Sequence, residues 1–478
     1  MRKTKRIFTV IVLILIISMT LWAKGQEETG TQQAVPKEVG KIPAGTYYVM
    51  IGGENAKDYI DPVTGSTMKG WETLMKPLID ANPGVKIEFV EVPWSSYIVK
   101  LETGIESGEF DVVHLAGGQN QVQGSRGNLL NLNEFLSKDV NYDPAKVFGE
   151  SFWNSAIMTL GDQHLSMPKS GYTFTHIIDT ELFKQAGVPL PPDNPTYQDL
   201  YKAAKAIHGK TDKNGNKIFG AFEWAPYETF RALMILKTKR VDWLAKWPVP
   251  EILGGDLTKL TWDLTNIRSE IKETISEMKA FAELMPPGWN NREGAENFFT
   301  AKNNIGILLN TDSGGKFKNL YDAGDLTTLS RYKVYPYPVA EIDGKKQLAV
   351  AGNVHTWGAP ITAKNPQASY EIMKYLASEE VQKENYTARW LAPILPDGIA
   401  FLNPADPLSK VSMEALQLGH GGERYAKLSV WSQLFPMVRD SIMFKGLLEN
   451  NPNLDAEIDK VQKYLDDWLV NAIKTGTR

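Results

Sequence analysis

The chain has 478 residues, a net charge of −4 and no cysteine. The missing cysteine excludes disulfides, thiolate metal sites, cysteine nucleophiles and the lipid-bearing cysteine of a bacterial lipoprotein. A balanced, slightly acidic charge leaves no basic stripe for nucleic acid, and the length suits two or three domains of ordinary size.

Residues 1–25 read as a secretory signal peptide. Arg2, Lys3, Lys5 and Arg6 precede an uncharged apolar run from Ile7 to Trp22, and Ala23-Lys24-Gly25 offers small residues for cleavage. The run is short for a membrane span, although an uncleaved N-terminal anchor is the alternative. Losing its five basic residues takes the net charge from −4 to −9. Residues 26–45 are polar without apolar period and read as a flexible tether.

From Tyr47 the pattern becomes regular. YYVMIG is a β-rich run ending at Gly52-Gly53. Trp71, Leu74, Met75, Leu78 and Ile79 recur at helical spacing, and Asn82-Pro83-Gly84 stops that helix. Val85, Ile87 and Phe89 alternate with Lys86 and Glu88 as a strand. A helix follows near Ser95, with Tyr97, Ile98, Leu101 and Ile105, and then the buried strand DVVHLA. Alternating strands and helices of this length predict βαβ units and a mostly parallel sheet. Residues 168–296 are helix-rich: Thr196 caps TYQDLYKAAKAIHG, and the turn DKNGN precedes the strand KIFGAF. Residues 346–362 return to a strand pattern. Asn365-Pro366 opens another helix, and the last helix aligns Leu454, Ile458, Val461, Leu465, Trp468 and Leu469.

The order of these segments resembles the family 1 extracellular solute-binding proteins, the maltose-binding-protein-like sugar binders of ABC transporters. NPGVKIEFVEVPWSSYIVKLETGIESGEFDVVHL (82–115) matches their N-terminal signature, with Phe110 where a proline is usual. DQHLSMPKSGYTFTHIIDTELFKQAGV (162–188) is similar to a second signature, with Ile178-Asp179-Thr180 replacing the usual tyrosine, asparagine and lysine. Residues 284–315 and 351–384 resemble two later segments. The resemblance implies an α/β fold of the periplasmic-binding-protein type II. Its two lobes have mixed, mostly parallel sheets flanked by helices, a three-crossover hinge and a central ligand cleft. Lobe one is expected at 46–167 plus 297–351, lobe two at 168–296 plus 352–478. It also implies an exported monomer that hands a small-molecule sugar to membrane permease subunits, with no cofactor and no catalysis.

A sugar offers apolar ring faces and hydroxyls, so its site needs aromatic faces and paired polar groups. By position in the resemblance, Trp357 is the leading stacking candidate, with core packing as its alternative. Trp289 in the PPGW loop and Trp224 after KIFGAF are further candidates. Trp94 opens a helix and could be a hydrophobic staple instead. Gln119 and Asn120 follow a strand's carboxyl end, where open α/β sheets bind ligands, and both donate and accept. Ser170 and Tyr172 lie near the first crossover, Thr311 and Asp312 near the second, and Asn353 near the third. Trp390 and Arg389 could close the cleft. The six histidines have no metal-ligand spacing, and neither a nucleophile elbow nor a phosphate loop is present. Asp212, Asn214, Asn216 and Glu223 mimic a calcium loop, but Lys217 stands where its glycine belongs. Competing functions are capture of an organic anion or a polyamine, and a secreted glycosidase needing two flanking carboxylates.

Overall fold

The computed structural model describes residues 40–478, except 61–66, 156–157, 173, 247–255, 312–313, 338, 343–344, 349–352, 391, 418–427, 451 and 477–478. The expected signal peptide and nearly all of the expected tether lie outside the described residues. The compact body runs from Lys41 to the C-terminus.

In chain order, β1 is Gly45–Gly52, α1 Trp71–Ala81, β2 Val85–Val92, α2 Tyr97–Ser107, β3 Val112–Leu115, α3 Gln119–Ser125 and β4 Met167–Tyr172. Next come β5 Thr175–Asp179, α4 Thr180–Ala186, α5 Tyr197–Ile207, β6 Phe219–Glu223, α6 Pro226–Thr238, α7 Arg268–Ala282, β7 Ile305–Thr311 and β8 Tyr332–Tyr335. The chain then forms β9 Asn353–Gly358, α8 Pro366–Leu376, α9 Glu379–Arg389 and α10 Leu454–Thr475. These are the elements that place the site.

Local chemistry explains why they begin where they do. Thr196 and Asp199 form a reciprocal capping box at α5, satisfying donors that the first helical turn leaves open. Asn365 accepts from the Ala368 amide ahead of Pro366, which suits a first helical position because it has no amide hydrogen to satisfy. The α10 stripe is buried at Leu454, Ile458, Val461 and Leu465. Asp212 accepts from the amides of Asn214 and Asn216, closing the DKNGN turn. Glu223 lies within β6, bonded to Thr229.

Nine strands make two sheets. The first has the order β2-β1-β3-β9-β4 and the second β6-β7-β5-β8. In the first, β1 runs parallel to β2 and β3, while β9 lies antiparallel between β3 and β4. In the second, β6 is parallel to β7, and β5 is antiparallel to both β7 and β8. The strand pairing differs from the expected grouping of 297–351 with the first sheet and 352 onward with the second. β7 and β8 hydrogen-bond in the second sheet. β9 returns to the first, where α8 packs on β3, β4 and β9. The reason is physical: Ile305, Ile307, Leu308 and Leu309 are all buried, so β7 needs a partner on each side and finds β6 and β5. Motif order shows that such a strand exists but not which strand it pairs with.

Candidate functional site

β4 ends at Tyr172 and β5 begins at Thr175. β4 runs in the direction of β1, β2 and β3, so Tyr172 stands at the carboxyl edge of the first sheet. Thr175 pairs with Thr311, the last residue of β7. The chain therefore passes from the carboxyl edge of one sheet directly to the edge where β6 and β7 end. Open α/β sheets bind ligands outside such edges, where loops leave the strand ends.

The first edge carries an aromatic and charged cluster. Trp94 follows β2 and is 51% exposed. Its ring centroid lies 5.2 Å from Tyr97 and 5.9 Å from both His114 and His355. The Tyr97 hydroxyl donates to the His114 carbonyl and accepts from the Ala116 amide, pinning the start of α2 to the end of β3. Gly53 has φ +65, and a Cβ there would lie 1.9 Å from the Trp94 indole nitrogen. Only glycine lets Trp94 sit so close to the end of β1.

Beyond Trp94 the cluster is buried. Lys169 on β4 has a fully buried side chain, and its Nζ lies 2.6 Å from Glu54 Oε1. The Trp71 indole donates to Glu54 Oε2 at 2.6 Å. The ammonium also lies 5.2 Å from the Trp71 ring and 5.5 Å from the Trp357 ring. A buried charge requires such compensation: a counter-ion, hydrogen bonds and aromatic faces. Glu54, 13% exposed in its side chain, is the member that reaches toward solvent. The Gly52 amide donates to His114 Nδ1 at 3.2 Å, which assigns the ring proton to Nε2. Burial, followed by the charge of Lys169, holds His114 far below the ordinary histidine value and His355 down to about 3. Both rings are neutral at physiological pH.

This arrangement changes the role of Trp357. It is fully buried, perpendicular to Trp71 at 5.1 Å and close to His114 at 5.5 Å. In this structure it is a core residue, and the exposed ring at the edge is Trp94. His355 shares its strand face two residues nearer the edge, as the period of a strand requires. Trp390 is likewise buried, among Ile177, Phe222 and Tyr386 of the second sheet's core, 5.3 Å from Tyr321. Gln119 and Asn120 open α3 and are buried: Gln119 accepts from Gln123, and Asn120 donates to Ser166. Ser170 is buried and pairs with His355. Tyr172 pairs through its backbone with Asn353. Asp312 lies outside the described residues.

The second edge carries Trp224, the residue after β6, 37% exposed. Its amide donates to the Leu309 carbonyl, continuing the parallel ladder. The Arg292 guanidinium stands 5.3 Å from the Trp224 ring centroid. Glu223 is buried and accepts from the Ala225 amide and the Thr229 hydroxyl, tying β6 to the first turn of α6. Trp289 is half-buried and lines a small cavity with Glu223, Thr229 and Met278. Trp94 and Trp224 are thus the candidates that combine an exposed ring with a strand's carboxyl end. Sequence reasoning missed Glu54, Lys169, Trp71, His355 and Arg292. A lysine inside the apolar strand MPKSGY was the available signal, because an unpaired lysine does not survive there.

No curated protein matches the sequence. Solved structures share its fold. An ABC substrate-binding protein of Listeria monocytogenes in complex with cycloalternan aligns over 89% of this chain and 100% of its own, with a TM-score of 0.63 and 15% identity. A solute-binding protein of Agrobacterium vitis with bound D-mannitol aligns over 89% and 99%, with a TM-score of 0.64 and 15% identity. The GacH receptor of Streptomyces glaucescens, solved unliganded and with acarbose, aligns over 89% and 99%, with a TM-score of 0.62 and 16% identity. The architecture is that of the type II periplasmic binding proteins. The family model for bacterial extracellular solute-binding proteins matches residues 65–383, about two thirds of the chain, and the protein belongs to that family.

Proposed function

We propose that this protein is the carbohydrate-binding subunit of an ABC importer, which captures a mono- or oligosaccharide and delivers it unchanged to permease subunits in the membrane. The observation that carries the reading is the pair of exposed indoles, Trp94 and Trp224, at the carboxyl ends of two sheets joined through Tyr172 and Thr175. Flat apolar faces with polar edges suit sugar rings. The ligands of the similar structures, cycloalternan, D-mannitol and acarbose, support the same class.

In this reading each sheet centres one lobe. The first comprises β1–β4, β9 and α8, and the second β5–β8 with α10. Ligand contacts made only when the lobes approach drive closure. Residues 1–25 export the chain, which acts as a monomer outside the cytoplasm. Among the described residues no helix is long and apolar enough to cross a membrane.

A thermal-shift screen against mono- and oligosaccharides, amino acids and polyamines tests the proposal. A true ligand at about 100 times its Kd adds roughly 2.7 kcal/mol of stability. A shift with amino acids or polyamines and with no saccharide refutes the carbohydrate assignment.

A further inference from the structure

We infer that Arg292 makes the second sheet's edge selective for carbohydrates bearing a carboxylate, such as uronic acids and their oligomers. The inference rests on the carbohydrate reading above and specifies the ligand's charge.

Arg292 is exposed, and its guanidinium lies over Trp224, itself at the carboxyl end of β6. Among the described residues its side chain makes no ion pair or hydrogen bond, and its guanidinium lies 5.3 Å from the Trp224 ring centroid. The adjacent acids do not engage it. The Glu296 carboxylate accepts from the Gly294 amide, and Glu293 forms no ion pair with it. Other arginines among the described residues illustrate the usual arrangement: Arg240 pairs with Asp263, Arg331 with Asp179, and Arg268 with Asp455 and Asp459. A guanidinium presents five donors in a planar fork that matches a carboxylate through two parallel hydrogen bonds. A cation–ring contact uses none of those donors, so the fork stays open.

The backbone points the same way. Arg292 has φ +63, a left-handed conformation that glycine or asparagine adopts more readily. The loop imposes it: the Asn291 and Glu293 amides donate to the Gly288 carbonyl, and the Arg292 amide donates to the Trp289 carbonyl. A bulky side chain held at a strained position on a braced loop is directed by that loop, here onto the ring beside which a sugar is expected to lie. An acidic sugar in this place lies beside Trp224 while its carboxylate takes the fork. A neutral sugar leaves the five donors without a charged partner.

Calorimetric titration with matched pairs decides the point: galacturonate against galactose, glucuronate against glucose, and trigalacturonate against its methyl ester. The acid of at least one pair is expected to bind tenfold or more tightly than its neutral partner, with affinity falling as salt rises. Arg292→Gln should weaken the acid tenfold or more and bring the acid-over-neutral affinity ratio of the same pair to within about threefold of one. Arg292→Gly relaxes the backbone, so it should melt no lower than the parent while losing the same acid preference. This separates recognition from a structural role. Neutral sugars binding as well as or better than every acid overturns the inference alone, as does an acid preference that survives Arg292→Gln. Binding of no saccharide of either kind overturns the carbohydrate reading and this inference with it.

Discussion

Lowering the pH from 7 to 5 should destabilise this protein sharply, because three of its histidines are buried in neutral form. His176 lies fully buried between Tyr197 and Tyr337, and among the described residues neither ring nitrogen has a hydrogen-bond partner. Burial holds it down to about 3. His355 is held down to about 3 as well, and His114 far below its ordinary value. In the unfolded chain each returns to about 6.5. The sign follows from linkage: below pH 6.5 the unfolded state takes up protons that the native state refuses, so stability falls with pH until the native rings titrate in their turn. At pH 5 a site with an unfolded value of 6.5 and a far lower native one costs about 2 kcal/mol. Three such sites cost about 6 kcal/mol, comparable to the whole stability of an ordinary domain, about 5–15 kcal/mol. Carboxylates with lowered values, such as Asp58 and Asp199, lose their contribution mainly below about pH 4, whereas Asp406 and Glu380, raised by burial, act in the opposite sense to the histidines. His164 is shifted in the same direction by burial but is only half-buried, so it adds less. Urea unfolding at the two pH values measures the drop, and His176→Phe should remove about a third of it. Equal stability at pH 7 and 5, or an unchanged drop in His176→Phe, refutes the reasoning.

Other substitutions test the site's construction. Lys169→Met leaves Glu54 facing an apolar strand and should cost about 3–5 kcal/mol in urea unfolding, whereas adding Glu54→Gln should recover part of that loss. Trp357→Ala empties a core position and should destabilise by about 3–5 kcal/mol. Trp224→Ala should leave the melting temperature within a few degrees while weakening ligand at least tenfold by calorimetry. Gly53→Ala should displace Trp94, visible as changed tryptophan fluorescence, and weaken ligand without unfolding the chain.

Much of the fold was legible because helical and strand periods fix which residues face inward. The stripe of α1, the alternation of β2 and the caps at Thr196 and Asn365 all appear where the spacing predicted. The pairing of β7 was not legible, because a buried apolar run suits the centre of either sheet. The site was legible in part. Trp224 follows the strand KIFGAF, as its place in the sequence indicated, whereas Trp94, read as a helix opener, also stands just past a strand's end. Trp357 shows the limit: β9 is buried on both faces, so alternation does not tell how far along the strand an indole lies from the sheet's edge, and only the packed structure places Trp357 against Lys169 and Trp71. The Arg292–Trp224 contact joins residues far apart in the chain, and no local pattern signals it.

The central claim is capture without chemistry, and a titration with recovery of the ligand tests it most directly. Purified protein is titrated with the saccharide that gives the largest thermal shift, and the bound ligand is then released and its mass measured. The account predicts saturable one-to-one binding, lost in Trp224→Ala, with the sugar recovered at its original mass. Recovery of a cleaved or otherwise altered sugar, or the absence of saturable binding, would contradict it.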